Sequence, residues 1–349
     1  MRILMINHEF SISGASTIFH ILAEEWRRRG HAVAILPCNP EPGPIRDRYL
    51  AGNFPILSND ALATADQHFD IAIANTIASA GTLLHLPPAL PAIWYLHEAE
   101  VALRILAEQP QWREAFARAS AVIYNMPFQA EVFRSFTYAL TPWKFHTVPF
   151  GVEIDHVAVS KIPLPAKRRA LRIVQVGTIE PRKRPGDLIR AVAMTKLDAE
   201  CVLCGRLYHI PPDARALVDA APDRYRIISD AAEDEALAWQ QSADIVTLVS
   251  ASETQGLVAY QAALLGRPLI LTDLPCYRDV FVHGRDCLMV PPASPAMLAL
   301  AIGALAANPG IAAALGRNAR TAAARFTRRG YLAQMAGVLE TVAARRDAQ

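Results

Sequence analysis

The stretch Leu171-Arg-Ile-Val-Gln-Val176-Gly177-Thr-Ile-Glu-Pro181-Arg182-Lys183-Arg184-Pro185 decides how the chain is organised. Leu171–Val176 is a near-continuous apolar run, the pattern of a strand covered on both faces. A glycine ends it, and Pro185 opens Pro185–Met194, whose apolar spacing is helical. Another apolar run, Ala199–Cys204, completes a strand–helix–strand unit and so predicts a parallel sheet. Working outward, strands are expected at Tyr225–Ile228, Asp244–Leu248 and Pro268–Leu271. Three alanine-rich helical stretches follow at about 294–307, 309–325 and 329–345. The same grammar has already run once upstream. Arg2–Ile6 reads as a strand, Ser16–Arg29 as an amphipathic helix closed by Gly30, and His31–Leu36 as the next strand. Further strands are expected at Asp70–Ala74, Ala92–Leu96, Ala121–Tyr124 and His146–Val148. Between Pro149 and Ala170 the alternation lapses into Lys161-Ile-Pro-Leu-Pro-Ala-Lys-Arg-Arg169, the composition of a linker.

With 52% hydrophobic residues over 349 positions, the chain can bury two cores of ordinary domain size. Its 35 Lys and Arg against 33 Asp and Glu give no charge that would recruit nucleic acid. The five cysteines, Cys38, Cys201, Cys204, Cys276 and Cys287, are odd in number and scattered. With no leader-like start, they predict reduced thiols and a cytoplasmic protein. Cys201 and Cys204 share a C-x-x-C spacing. No second pair completes a zinc site, and Glu200-Cys-Val-Leu-Cys-Gly205 reads as buried strand. No apolar run reaches the ~20 residues of a membrane span. No Asp-x-Asp offers a metal-bridged diphosphate site, and neither His8-Glu9 nor His97-Glu98 extends to His-Glu-x-x-His. The expectation is a protein with no metal and no cofactor. A dinucleotide oxidoreductase would need Gly-x-Gly-x-x-Gly after a strand, which no segment supplies.

Chemistry concentrates after two strands of the second half. In Ser250-Ala-Ser-Glu253-Thr-Gln-Gly256-Leu-Val-Ala-Tyr-Gln261-Ala-Ala-Leu-Leu-Gly266-Arg-Pro268 a strand ends near Ser250 and a helix runs from about Gln255 to Leu265. The N–H groups and positive dipole end of that helix suit a diphosphate, and Gly256 permits close approach. Glu253 stands ahead of the helix, placed to accept hydrogen bonds from sugar hydroxyls, and Gln261 lies further along, within reach of a ribose edge. Taken alone, the segment reads equally as an ordinary helix capped by Ser252 or Glu253. In the quoted 171–185 stretch, Arg182, Lys183 and Arg184 sit together at a strand-to-helix loop and converge on the same phosphate pocket. For Arg184 the solvated basic turn is the better reading.

Together these two segments resemble glycosyltransferase family 4, a retaining group of GT-B fold. Its members carry a Gly-Arg-x-x-x-x-Lys-Gly-like loop, then Glu-x7-Glu followed by Gly-x-Pro. Gly177, Lys183, Glu253, Gly256, Gly266 and Pro268 stand at matching positions, Val290-Pro-Pro-Ala-Ser-Pro295 is similar to the family's last loop, and Phe150-Gly151-Val-Glu-Ile-Asp155 to its linker entrance. The resemblance implies an α/β protein of GT-B fold, with two doubly wound Rossmann-like domains and a central cleft. Residues 1–160 would form an acceptor-binding domain and 161–328 a donor-binding domain, with 329–349 a helix crossing back to the first. It implies a nucleotide diphosphate sugar as donor, bound without metal. Lys183 and Arg182 would neutralise the diphosphate, the amides of Gln255, Gly256 and Leu257 would bind phosphate, and Glu253 would hold the sugar. Two positions depart from the pattern. The arginine expected after Gly177 is Thr178, and the second glutamate is Gln261, which accepts ribose hydrogen bonds without charge.

The acceptor side follows the same resemblance. Asn7-His8-Glu9-Phe-Ser-Ile-Ser-Gly14-Ala15-Ser16 is similar to the family's small-residue loop. Its His8 and Glu9 either contact acceptor hydroxyls or hold the loop. In Trp94-Tyr-Leu-His97-Glu98-Ala-Glu100, His97 falls at the carboxyl end of a strand and matches a family histidine. The catalytic set implied is His97, Lys183 and Glu253, acting by front-face attack on a glycan, lipid-linked or small-molecule acceptor, as in bacterial polysaccharide or glycoconjugate synthesis. Two competing readings use the same scaffold: a nucleotide-sugar epimerase or hydrolase, and a non-catalytic sugar-nucleotide-binding subunit. Phe128–Lys144, with Arg113 and Arg118 upstream, reads either as a peripheral membrane patch or as a helix and loop packed on the sheet.

Overall fold

The computed structural model describes residues 1–155, 159 and 161–347, the last two by backbone alone. The chain divides into two compact units, Met1–Phe150 with Arg329–Gln349, and Gly151–Arg328. The boundary expected at 160/161 falls beside residues outside the described set.

Unit 1 is built on β1 (Arg2–Asn7), β2 (Ala32–Pro37), β3 (Ile71–Asn75), β4 (Ala92–Leu96), β5 (Ala121–Tyr124) and β6 (Phe145–Thr147). They form one sheet in the order β2-β1-β3-β4-β5-β6, parallel at each ladder. β3, β4 and β5 are buried along their whole length. Covering both faces of a sheet requires such continuous apolar strands. α1 (Gly14–Arg28) returns the chain from β1 to β2, capped by Ser13, whose side chain accepts from the Ser16 N–H at 3.2 Å. The Phe128–Lys144 segment is largely structural. Phe133 is fully buried, and Phe136 and Phe145 pack against the same core. Only Tyr138 and Trp143 among its aromatic residues are strongly exposed. Among the described residues no single helix is long and apolar enough to cross a membrane.

Unit 2 repeats the plan with β7 (Leu171–Val176), β8 (Ala199–Cys204), β9 (Tyr225–Ile228), β10 (Ile245–Leu248), β11 (Leu269–Thr272) and β12 (Leu288–Val290), ordered β12-β11-β10-β7-β8-β9. The sequence pattern did not mark β12. It is a three-residue edge strand, too short to show a period. α2 (Pro185–Met194) and α3 (Leu257–Leu264) follow β7 and β10, and α4 (Pro295–Ala307) and α5 (Pro309–Ala323) complete the cover. Cys201 and Cys204 are free and buried in β8, and no group of three or more potential metal ligands occurs among the described residues.

The linker is pinned from within β7. Arg172, fully buried, pairs with Glu200 at 2.8 Å and donates to the carbonyls of Pro165 and Ala166 at 2.8 and 2.6 Å. At the other end of the linker the chain runs beside its own return segment. Val152 N–H donates to the Phe326 carbonyl at 3.0 Å. A Cβ on Gly151 would fall 2.0 Å from the Thr327 oxygen, so only glycine fits there. The return segment leads into α6 (Arg328–Asp347), which buries Tyr331, Met335, Leu339 and Val342 at helical spacing. Tyr331 packs edge-on against Phe150 at 4.9 Å.

Candidate functional site

In an open parallel sheet a crevice forms beyond the carboxyl ends of two neighbouring strands whose connections leave in opposite directions. In unit 2 that point lies between β7, which continues through β8 and β9, and β10, which continues through β11 and β12. The loop after β7 holds Gly177 to Arg184, and the loop after β10 holds Ser250 to Gly256. They are tied together by the Ala251 N–H donating to the Arg182 carbonyl at 2.7 Å. Gln175 anchors the first loop from below, its Nε2 donating to the Lys183 carbonyl at 2.8 Å.

Where the loops meet, Lys183 donates to Glu253 Oε1 in a short ion pair. Ser250 Oγ donates to the same oxygen at 2.7 Å, and Arg182 Nη1 stands 3.6 Å from Oε2. The Lys183 and Glu253 side chains are only 13% and 9% exposed, so the pair is fixed rather than solvated. Burial alone would raise the Glu253 carboxyl. The charges of Lys183 and Arg182 and the hydrogen bonds from Lys183 and Ser250 outweigh it and hold the group below the usual carboxylate range. Arg182 also reaches Glu180 at 2.8 Å and the Ser252 carbonyl at 3.3 Å. Thr178 Oγ1 donates to the same Glu180 at 2.9 Å.

α3 starts two residues later than expected. Gly256 has φ +68° and caps the helix without any side-chain hydrogen bond, so the first N–H groups of α3 are not covered by a side-chain cap. The neighbouring Gln255 is buried, and its side chain bonds the Tyr260 hydroxyl. Gln261 lies in the second turn of α3, its Oε1 accepting from Gln240 Nε2 at 3.4 Å. The arrangement combines two cations, a fixed carboxylate and a helix start at one switch point. This suits an anion flanked by hydroxyl groups.

Unit 1 has its own switch point between β1 and β3. Asn75 Nδ2, at the end of β3, faces Asn7 Oδ1 at 3.3 Å, His8 Nδ1 at 3.4 Å and the Ala15 carbonyl at 3.4 Å. His8 Nε2 lies 3.4 Å from Glu9, which accepts from Ser11 Oγ. Burial lowers the His8 pKa against the pull of Glu9. A Cβ on Gly14 would meet nothing within 4 Å, so the start of α1 is open. His97, just beyond β4, packs against Tyr95 with ring centroids 4.1 Å apart and planes tilted by 49°, and its Nδ1 lies 3.4 Å from Asn125 Nδ2. Burial, with the nearby His8 adding to it, drops its pKa to about 3. The ring is therefore neutral, and its Nε2 is a buried atom with no partner. Glu98, expected on the acceptor side, is engaged by backbone. Its Oε2 accepts the N–H groups of Ile77 and His97 at 3.0 and 3.2 Å. It is a fastener for the loop, and burial lifts its pKa to about 7 despite those bonds.

The sequence reading gave no role to Asn7, Asn75, Thr76 or Asn125, yet the structure gathers them at the carboxyl edge of β1, β3 and β5. Asn7 Nδ2, Asn75 Oδ1, Thr76 Oγ1 and Asn125 Oδ1 are buried without partners. Thr76 holds a left-handed φ of +72°. Glu180 and Ser250, which complete the unit 2 cluster, were given no role for the same reason: a single polar residue after a strand carries no pattern.

Residues 12–156 match the family model described as Glycosyltransferase Family 4, and residues 170–308 match that described as Glycosyl transferases group 1. Among curated proteins, the chain is 30% identical over 200 residues to a D-inositol 3-phosphate glycosyltransferase of Xylanimonas cellulosilytica, covering 52% of this chain and 48% of that protein. It is 27% identical to the protein of the same name from Thermobispora bispora, covering 65% of this chain and 56% of that one. The chain thus spans about half the length of the curated relatives it matches. Among solved structures, Anabaena HepE in complex with UDP superposes with a TM-score of 0.80 at 17% identity, covering 98% of this chain and 100% of that one. The sucrose-phosphate synthase of Thermosynechococcus elongatus gives 0.73 at 20% identity, with 99% of each chain covered.

Proposed function

The chain belongs to glycosyltransferase family 4, with the GT-B fold, and we propose that it transfers a sugar from a nucleoside diphosphate sugar to a hydroxylated acceptor. The observation that carries this reading is the buried Lys183–Glu253 pair at the β7/β10 switch point, flanked by Arg182 and the uncapped start of α3. Lys183, Arg182 and the amides from Gln255 to Leu257 hold the diphosphate, which leaves with its developing charge already countered. Glu253 stays ionised and accepts hydrogen bonds from the sugar. Gln261 contacts the ribose.

Unit 1 holds the acceptor. His97 offers the free Nε2 of a neutral ring, and the unpartnered Asn7 Nδ2, Asn75 Oδ1 and Asn125 Oδ1 atoms match a ligand rich in hydroxyl groups. No metal is needed, and the reaction retains configuration through front-face attack, the departing phosphate taking the acceptor proton. HepE is described with UDP, with UDP-glucose, and with UDP and glucose, which supports a uridine diphosphate sugar as the first donor to try. A role in glycoconjugate synthesis on the cytoplasmic side follows from such a donor.

Thr178 and Gln261, where a cation and a carboxylate are usual, favour a second reading: a sugar-nucleotide-binding protein without transferase activity. Thermal shift against a panel of nucleoside diphosphate sugars, followed by transfer of labelled sugar, separates the two. The expected result is stabilisation by one donor, transfer to a polyol, and loss of transfer by about a hundredfold or more in Glu253→Ala. Stabilisation without transfer supports the second reading. No stabilisation by any donor would sink both.

A further inference from the structure

A recess of about 740 Å³ opens in unit 1 at the amino ends of β4, β5 and β6, the opposite edge of the sheet from the β1/β3 switch point. Its size is that of a small-molecule site. Arg118, Lys144 and Arg345 line it together with Pro88 and Trp143, and no Asp or Glu is among the lining residues. None of the three cations has a carboxylate partner among the described residues. Lys144 Nζ donates to the carbonyls of Phe116 and Ala117 at 3.3 and 2.8 Å, and Arg118 Nη2 to those of Pro87 and Leu90 at 2.8 and 3.0 Å. Carbonyl oxygens satisfy these donors but leave the charge uncompensated. Arg118 Nε is buried and bonds nothing. Arg345 lies 3.3 Å over the ring of Trp143, which is 43% exposed.

Elsewhere the partly buried Arg224 and Arg267 also sit on backbone carbonyls, while other cations have carboxylates. Arg172 has Glu200, Arg184 has Asp187, and Arg190 has Asp187 and Asp213. What sets the recess apart is that three such cations line it together without an acid, and its charges repel one another. Burial and the Arg118 charge hold the Lys144 ammonium below the usual lysine range, and burial and Arg345 do the same to the His146 imidazole. Three uncompensated cations beside an exposed indole and proline rings form a concave site for an anion that carries an organic group.

We propose that this recess binds a phosphate ester, its phosphate held by Arg118, Lys144 and Arg345 and its organic part against Trp143 and Pro88. The ester is a soluble monoester or the headgroup of an anionic lipid, and the test distinguishes them. The full chain is titrated with phenyl phosphate while tryptophan fluorescence is followed, with Trp143→Phe as the control that removes the local signal. In parallel, flotation compares phosphatidylglycerol with phosphatidylcholine vesicles. Lys144→Gln/Arg345→Gln is the main variant. Arg345→Glu, at an exposed side chain, keeps the test valid if the double variant misfolds, and Lys183→Ala separates this recess from the diphosphate site in unit 2.

Saturable quenching, equal in wild type and Lys183→Ala and at least tenfold weaker in both recess variants, supports the proposal with a soluble ester as ligand. Flotation with phosphatidylglycerol alone, lost in the recess variants, supports it with a lipid headgroup. Failure of both probes to bind wild type overturns it, as does binding that survives the recess variants but disappears in Lys183→Ala.

Discussion

Gly256 is constrained twice. Its φ of +68° costs an L-residue about 1–2 kcal/mol. An added Cβ would also lie 2.5 Å from the Tyr277 hydroxyl oxygen and 2.7 and 2.9 Å from its ring carbons. Gly256→Ala should therefore lower stability by about 2–4 kcal/mol in urea unfolding, and weaken stabilisation by a nucleoside diphosphate because α3 starts there. Tyr277→Phe removes only the hydroxyl and leaves the ring carbons in place, so the double variant should recover only part of the loss. Full recovery would show that the backbone conformation is not a constraint. A neighbouring pair in unit 1 makes a second residue-scale prediction. Glu98, raised to about 7, contributes stability that is present below its unfolded value of 4.5 and is lost as pH rises through 7. His97, lowered to about 3, contributes stability that is present above 6.5 and is lost as pH falls. Between pH 4.5 and 6.5 the two slopes oppose and largely cancel in the wild type. Glu98→Gln should expose the histidine slope, with stability rising by about 1 kcal/mol per pH unit in that window, and His97→Gln should expose the opposite slope. Denaturant midpoints measured at four or five pH values decide it. Parallel profiles for all three proteins would show that neither group is desolvated as described.

At the scale of elements, strands buried on both faces announced themselves. Ala92–Leu96, Ala121–Tyr124 and Ala199–Cys204 lie where their apolar runs placed them, because a doubly covered strand has no polar face to dilute the signal. The start of α3 was read early because its first turn has no polar cap, only a left-handed glycine. Lys183 and Glu253 were each legible in their own loop. Their contact depends on β7 and β10 being sheet neighbours, which a separation of 70 positions in sequence does not state. The unit 1 asparagines were illegible because a lone polar residue after a strand resembles any turn residue. Two element-scale outcomes follow. Arg172→Met leaves the buried Glu200 with only the Arg226 guanidinium at 3.6 Å and the Arg168 N–H at 3.1 Å, and takes one donor from each of the linker carbonyls of Pro165 and Ala166. It should cost about 3–5 kcal/mol, and adding Glu200→Leu should return about 2 kcal/mol of that in chemical unfolding. On α3, Gln261→Glu keeps the acceptor used by Gln240 and adds charge toward a ribose. On the proposed donor reading, calorimetric titration should find nucleoside diphosphate binding about tenfold tighter. Unchanged affinity would remove Gln261 from the donor site.

For the molecule as a whole, the consequential feature is that unit 1 is completed by the end of the chain. α6 belongs with Met1–Phe150 although 178 residues of unit 2, Gly151–Arg328, lie between them. It buries Tyr331, Met335, Ala336, Val338, Leu339 and Val342 and brings Tyr331 against Phe150. At about 1.5–3 kcal/mol for each large apolar side chain, removing the helix takes away stabilisation on the order of 10 kcal/mol. That is comparable to the whole stability of an ordinary domain. Unit 2 has its own sheet and its own core, centred on Ile173, Leu188, Cys201, Ile245 and Ile270, with no α6 residue in it. A chain ending at Arg328 should therefore lose the cooperative unfolding of unit 1 while unit 2 still melts cooperatively. Limited proteolysis should degrade residues 1–150 and leave a resistant fragment of about 151–328. A nucleoside diphosphate should still raise the midpoint of the remaining transition, because Lys183, Glu253 and the start of α3 all lie within that fragment. Survival of residues 1–150 under protease would mean that the unit 1 sheet folds without its last helix. Loss of both transitions would mean that the two units depend on each other for folding, and that their separate cores do not make them separate folding units.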